Sequence, residues 1–276
     1  MTIRRMTLED LQMVLGWAAD EGWNPGIDDA TAFFTADPEG FFISEVAGKP
    51  AAAISVVNHN AEFAFLGLYL CRPEFRGQGL GIDIWRFGLE HAGARCVGLD
   101  GVPQQQDNYM KSGFTKTGRT IRYQGTLPKK TTEHIRLANT SDIPALVKAD
   151  ALATGFTRSA FSRSWLSNTQ TRQTSLLLDG SDTLAFATSR QCADGVKVGP
   201  LQAETAEQAL DLAMATQRES SASSIFVDVP DHSEHLSELL ERHGFTPVFE
   251  TARMYSHTPP DNRTPSYCAI ATMELG

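Results

Sequence analysis

A repeat limits what this 276-residue chain can fold into. Ile3-Arg4 followed by Asp10-Leu11 returns 132 residues later as Ile135-Arg136 followed by Asp142-Ile143. Gly113-Phe114-Thr115, leading to Arg122-Tyr123, returns 131 residues later as Gly244-Phe245-Thr246, leading to Arg253-Met254-Tyr255. Two landmarks at opposite ends of a unit, at nearly one offset, argue for a tandem duplication of a whole domain. The stretch Gly125 to His134, which contains Pro128-Lys129-Lys130, reads as the linker. The expected domains are therefore 1–127 and 134–276.

The first unit reads as alternating strands and helices. Thr2 to Arg5 is a short strand. Thr7 then caps a helix over Leu8 to Asp20, with Asp10 at the third position of the cap and Leu8, Leu11, Val14, Leu15 and Ala18 on one face. The loop Gly22-Trp23-Asn24-Pro25-Gly26 ends it, and a short helix over Asp28 to Thr35 follows. A hairpin is expected over Phe41–Val46 and Pro50–Val57. The apolar run Phe63 to Cys71 reads as a buried strand, and Ile82 to His91 as an amphipathic helix with Ile82, Trp85, Leu89 and Ala92 inward. A strand over Arg95–Leu99, a helix over Gln104–Ser112 and a last strand over Thr115–Tyr123 complete the unit.

Between the Phe63–Cys71 strand and the helix lies Arg76-Gly77-Gln78-Gly79-Leu80-Gly81. A glycine turn feeding a helix N-terminus offers unpaired N–H groups and the positive end of the helix dipole, which together suit phosphate. The turn lacks the Gly-x-x-x-x-Gly-Lys of an ATP loop and the first glycine of the dinucleotide fingerprint.

The Arg-x-x-Gly-x-Gly spacing resembles the cofactor motif of the GNAT superfamily of N-acetyltransferases. Cys71-Arg72-Pro73-Glu74-Phe75 resembles that superfamily's Val-x-Pro-x-Tyr lead-in, and Tyr109-Met110-Lys111-Ser112-Gly113-Phe114 its Tyr-x-x-x-Gly-Phe. Gly22-Trp23-Asn24-Pro25-Gly26, Leu99-Asp100-Gly101-Val102 and Gly199-Pro200-Leu201 are similar to phrases of two-domain bacterial members whose second domain is degenerate. The resemblance implies an α/β (α+β) fold of tandem GNAT-like domains, each a mixed, mostly antiparallel splayed sheet flanked by helices. It implies an acetyl-CoA-dependent transfer to a primary amine of a small molecule, by direct attack in a ternary complex. Carried over residue by residue, Tyr69 and Cys71 offer backbone groups to the pantetheine arm. Arg76, Gln78, Gly79 and Gly81 hold the pyrophosphate, and Tyr109 protonates the departing thiolate.

The chemistry agrees with these roles. A lysine-type amine, with a pKa of about 10.4, must lose a proton before it attacks. A thiolate wants a proton, which a tyrosine hydroxyl can give. The base is not evident. Members of the superfamily often carry a glutamate or histidine four or six residues before the Cys71 position, where this chain has Gly67 and Phe65. Asp20, Glu21 and Asp100 are the alternatives. Val102 stands where an asparagine cofactor contact is common. Trp23, Asn24 and Asp100 are the candidate acceptor-site residues; a packing role for Trp23 is equally open.

The second unit carries no such motif. After a strand over Thr183–Ser189 it reads Gly195 to Leu201, then a helix over Ala206 to Arg218, and Leu240 stands where Tyr109 would fall. Only the first unit is expected to bind a CoA thioester. Arg190, Lys197 and Asp228 are charges that could face the first unit across a cleft. A non-catalytic acyl-CoA-binding or regulatory protein is the alternative function, and a nucleotide-binding protein a third.

Composition narrows the setting. No apolar run approaches the roughly 20 residues of a membrane span, and the net charge of −9 disfavours nucleic acid. Cys71, Cys96, Cys192 and Cys268 have no metal spacing, and His232 and His235 lack a third ligand, so no metal is expected. Together these point to a cytoplasmic monomer or homodimer.

Overall fold

The computed structural model describes residues 1–128, 133–216, 224–261 and 264–276. The expected α/β class and the two GNAT-like units are present, and their strands run together into one 13-stranded sheet. The first unit holds β1 (Thr2–Arg5), α1 (Leu8–Asp20), α2 (Asp29–Ala36), β2 (Phe41–Val46), β3 (Lys49–Asn58), β4 (Phe63–Cys71), α3 (Leu80–Ala92), β5 (Cys96–Gly101), α4 (Gln106–Lys111) and β6 (Thr115–Gly125). The second holds β7 (Ile135–Leu137), α5 (Ile143–Thr154), α6 (Ser159–Leu166), β8 (Arg172–Asp179), β9 (Asp182–Gln191), β10 (Val196–Gln202), α7 (Ala206–Ala215), β11 (Ile225–Pro230), α8 (Glu234–Arg242), β12 (Thr246–Tyr255) and β13 (Tyr267–Ala269). Gln217 and Arg218 of the expected helix, and Lys129 and Lys130 of the expected linker, lie outside the described residues.

Local signals act as the sequence reading expects at the start of each unit. Thr7 and Asp10 form a reciprocal capping box on α1, whose buried face is Leu11, Val14, Leu15 and Ala18. Arg4 reaches the Asp10 carboxylate at 2.6 and 3.1 Å. The second unit repeats the device: Arg136 reaches Asp142 at 2.7 and 2.9 Å. The Thr7 and Asn139 amides donate to the same two carboxylates at 2.8 and 2.7 Å.

The phase of α3 differs from the expected one. Ile82 is 46% exposed, and the inward face is Leu80, Ile84, Trp85, Gly88 and Ala92. The helix begins two residues earlier than its apolar spacing indicated, and it lies against β3 through Gly88, where an added Cβ would stand 3.0 Å from Ile54 and 3.1 Å from Val56. That close approach, which hydropathy alone does not register, sets the rotation.

The larger departure lies in the sheet. The order is β1-β2-β3-β4-β5-β12-β6-β11-β10-β9-β8-β7. Strand β5 pairs not with β6 but with β12 of the second unit, through Gly98–Gly101 against Ala252–Tyr255. Strand β11 pairs reciprocally with β6 of the first. Strands β6 and β12 are exchanged between the units and lie side by side at the centre, antiparallel to each other.

Each exchanged strand carries an arginine to a carboxylate of the other unit. Arg253 on β12 grips Asp100 on β5 at 3.0 and 2.7 Å, and Arg122 on β6 grips Asp228 on β11 at 2.7 and 2.9 Å. These are bidentate, charge-assisted pairs in a buried setting.

Candidate active site

The site begins where β4 and β5 part. They run parallel only from Phe63–Leu66 against Cys96–Leu99. Beyond Leu66, β4 keeps its antiparallel partner β3, with Leu70 opposite Ala53 and Cys71 opposite Ala52. On its other edge Gly67–Cys71 has no strand partner among the described residues. Leu68 at φ 46° marks the irregularity there. The parted strands enclose a cavity whose wall includes Leu66, Tyr69, Leu99, Asp100, Val102 and Tyr109.

At the far end of β4 the chain makes a 3₁₀ turn over Pro73–Phe75 and then the glycine turn. Gly79 sits at the N-cap of α3 with φ 82°, a backbone region that glycine enters without a Cβ penalty. No backbone oxygen among the described residues accepts from the amides of Gln78, Gly79, Leu80 or Gly81. These donors sit at the positive end of a 13-residue helix. Gly81 has a different role from its neighbour: an added Cβ would lie 2.7 Å from the Tyr69 hydroxyl, so this glycine makes room for Tyr69.

Arg76 is at the turn, half-exposed, with Nε donating to the Cys71 carbonyl at 2.9 Å and an ion pair to Glu21. The Gln78 amide donates to the Glu74 carbonyl at 3.2 Å. Tyr109 is 7% exposed and stacks on Trp85 at 5.3 Å between ring centroids. Burial, aided by nearby Tyr69, pushes its hydroxyl pKa up. A phenol, with an ordinary pKa of about 10, is protonated at neutral pH and able to donate, and this shift leaves it so.

Of the acceptor-site candidates, Trp23 and Asp100 line the cavity and Asn24 does not. The Asn24 side chain is spent on the second unit: Nδ2 donates to the Asp194 carbonyl at 2.8 Å, and Oδ1 accepts from the Asp194 amide at 3.2 Å. The Trp23 carbonyl accepts from Arg122 at 2.9 Å and from Lys197 at 2.8 Å. Its loop is thus held by cations from both units.

The proposed bases fare differently. Asp20 and Glu21 are exposed at the end of α1, away from the cavity wall, and Glu21 pairs with Arg76. Asp100 is inside, but both its oxygens are committed to Arg253.

One wall residue is absent from the sequence reading. Glu274, 5% exposed, lines the same cavity as Tyr109 and Asp100. It belongs to the segment 270–276, which threads between the units. Nothing in the repeat marks it, because it lies beyond the last matching landmark. The one available signal is Gly67: a Cβ there would stand 2.1 Å from the Glu274 carbonyl oxygen.

Residues 8–114 match the Acetyltransferase (GNAT) family, and residues 146–268 the Acetyltransferase (GNAT) domain. The holothin acyltransferase of Pseudoalteromonas sp. (strain SANK 73390) is 32% identical over 278 aligned residues, covering 100% of this chain and 94% of its own. An acetyltransferase candidate from Pyrococcus horikoshii superposes with a TM-score of 0.82 at 19% identity, over 100% of this chain and 95% of that one. A GCN5-related N-acetyltransferase from Sphaerobacter thermophilus gives 0.62 at 18% identity, over 95% and 98%. At such identities these two structures speak to the fold.

Proposed function

The chain belongs to the GNAT acetyltransferase family and is an acyltransferase, and from that premise we propose that it transfers an acetyl group from acetyl-CoA to a primary amine of a small molecule, by direct attack within a ternary complex. The observation that carries this reading is the open edge of β4 over Gly67–Cys71, leading to the unpaired amides at the start of α3. An extended amide-bearing arm fits such an edge by strand addition. A pyrophosphate fits the turn amides at its end. Tyr69 and Cys71 would hold the arm through their backbone, and Gln78, Gly79 and Gly81 the phosphates through theirs, with Arg76 as a neighbouring cation. Acetyl-CoA supplies the activated acyl thioester. Tyr109, buried and protonated, gives its proton to the sulfur. The backbone near Cys71 can offer an N–H to the developing oxyanion.

The second unit lacks the same opening. Its equivalent strands β10 and β11 run parallel over Val196–Val198 and then part. There the freed edge of β10 is taken by β13, with Leu201 opposite Ala269 and Gln202 opposite Tyr267. This supports a single acyl-CoA site, in the first unit. The relative matched over the whole chain is named for holothin, and we take the acceptor here to be a small molecule too, reaching the cavity between the units.

The experiment is thermal denaturation with acetyl-CoA, CoA, ATP and NAD, followed by CoA release with a panel of amines. A ligand at about 100 times its Kd adds about 2.7 kcal/mol, a shift of several degrees for a chain of this size. Shifts with acetyl-CoA and CoA alone, and CoA release with an amine, are expected. Shifts with ATP or NAD instead would sink the reading.

A further inference from the structure

We infer that Glu274, carried into the active site by the segment 270–276, is the general base of the acyl transfer. This rests on the function proposed above. The argument starts from what β4 lacks. At the two positions where the family resemblance puts a glutamate or histidine, the chain has Gly67 and Phe65, and the segment packs on both. The Glu274 backbone lies over Gly67, as the 2.1 Å approach to an added Cβ requires. Gly276 lies over Phe65, where a Cβ would stand 2.8 Å from the ring. The residue whose backbone covers Gly67 is itself a glutamate, and it lines the cavity beside the strand that lacks one.

The segment is held, not draped. The Ile270 amide donates to the Asp228 carbonyl at 3.0 Å. Arg190 donates to the Ala271 carbonyl at 2.6 Å. His59 Nε2 bonds the Leu275 carbonyl at 2.9 Å, and Arg158 donates to an oxygen of Gly276. Leu275 is fully buried in the core around α1 and α2. Thr272 Oγ1 donates to Glu274 Oε2, which fixes the carboxylate's orientation. Among the described residues Oε1 accepts from no protein group.

The neighbouring charges single Glu274 out. Asp100 and Asp228 are each spent on a bidentate arginine. Charged groups near Glu274 include Asp100 on β5, Arg122 on β6 and Lys197 on β10. Of the two cations, Arg122 is bonded to Asp228 and the Trp23 carbonyl and Lys197 to the Trp23 carbonyl, so neither is spent on Glu274. Glu274 and Tyr109 share one cavity, so base and acid are both supplied. As the amine nitrogen bonds to the acyl carbon and the carbon–sulfur bond breaks, the N–H proton passes to Glu274 and the Tyr109 proton to the sulfur. Solvent exchange resets both, with no oxidant or reductant.

The test compares wild type, Glu274→Gln and Glu274→Asp in CoA release with the amine panel, across pH, alongside the acetyl-CoA melting shift. The proposal expects Glu274→Gln to keep the shift, lose turnover by on the order of 10²-fold or more, and lose the acid limb of the pH–rate profile. Glu274→Asp should fall between, and carries the test if the glutamine variant does not fold. Turnover in Glu274→Gln within about threefold of wild type would overturn the proposal, since general-base removal costs far more. So would a loss of turnover in either variant with an unchanged pH profile and an abolished melting shift, which is the mark of a structural plug. A wild-type protein that binds acetyl-CoA and acylates no amine would overturn the functional reading itself, and the base with it, whatever the variants do.

Discussion

The two units part their central parallel strands at the same place, and only one of them leaves the edge open. In the first, β4 and β5 part beyond Leu66 and the edge of β4 stays open. In the second, β10 and β11 part beyond Val198 and β13 closes the edge. The glycines at the two forks, Gly67 and Gly199, are 132 residues apart, and both are pressed by the same segment: a Cβ would meet the Glu274 oxygen at 2.1 Å or the Ile270 oxygen at 2.0 Å. The chain running from β13 to Glu274 thus closes the second fork with backbone and then lines the first with a carboxyl side chain. The same stretch of chain closes one fork and lines the other, so a change to it acts on both units at once.

The two central ion pairs show the same divided symmetry. Burial raises the Asp100 carboxyl pKa, and Arg253 only partly offsets it, with Asp228 and Glu274 nearby adding to the rise. Asp228 is equally buried, but Arg122, joined by Lys197 and Arg190, holds it below the usual range. Equivalent carboxylates, each buried and each paired with an arginine, are therefore shifted in opposite directions.

The sharpest way to break the comparison is to part the units. Expressed alone, 1–127 leaves β5 without β12, and 134–276 leaves β11 without β6. Neither should unfold cooperatively or bind acetyl-CoA by itself, whereas co-expression should restore both. A first unit that binds alone would show the exchanged strands to be dispensable. Next in size are Arg122→Ala and Arg253→Ala. Each strands a buried carboxylate, and each should cost about 3–5 kcal/mol in urea unfolding; a cost at only one would mean the pairs are not counterparts.

Tyr109→Phe should lower turnover by on the order of 10²-fold with the acetyl-CoA melting shift intact. Its counterpart Leu240 is buried in the second core and takes no part. Smaller still, Gly199→Ala and Gly67→Ala should each cost about 1–3 kcal/mol from overpacking. Only Gly67→Ala should also lower turnover, because it displaces Glu274. Equal kinetic effects would deny the division of labour between the forks.

The last expected effect is a pH dependence. Burial, aided by Arg122, lowers the Lys197 ammonium to about 8, against the opposing pull of Asp228 and Glu274. Below that value lysine is charged in both folded and unfolded chains, and the penalty is fully present. Between about 8 and the ordinary 10.5 the unfolded chain binds more protons, so stability rises with pH. Buried thiols such as Cys192 and Cys268, whose pKa burial raises, contribute with the opposite sign, so the check is a difference: from pH 8 to 10 the melting temperature of wild type should gain on that of Lys197→Met, and a constant gap would refute it.

What the sequence determined was local and periodic. The capping box at Thr7, the strand over Phe63–Cys71, the glycine turn and the Tyr109–Phe114 phrase act over a few residues, so neighbouring chemistry suffices to announce them. The repeat was legible because Arg4–Asp10 and Arg136–Asp142 are short-range pairs in both copies. The tertiary structure decided what depends on distant partners. Strands β6 and β12 follow matching Gly-Phe-Thr phrases, so the sequence does not say which lies beside β5; their pairing across the units does. Asn24 looked like an acceptor contact until Asp194, 170 residues on, claimed it. Glu274 was silent, since a carboxylate near a cavity carries no sequence period. Its one trace is Gly67, whose missing side chain makes sense only once the segment lying against it is seen.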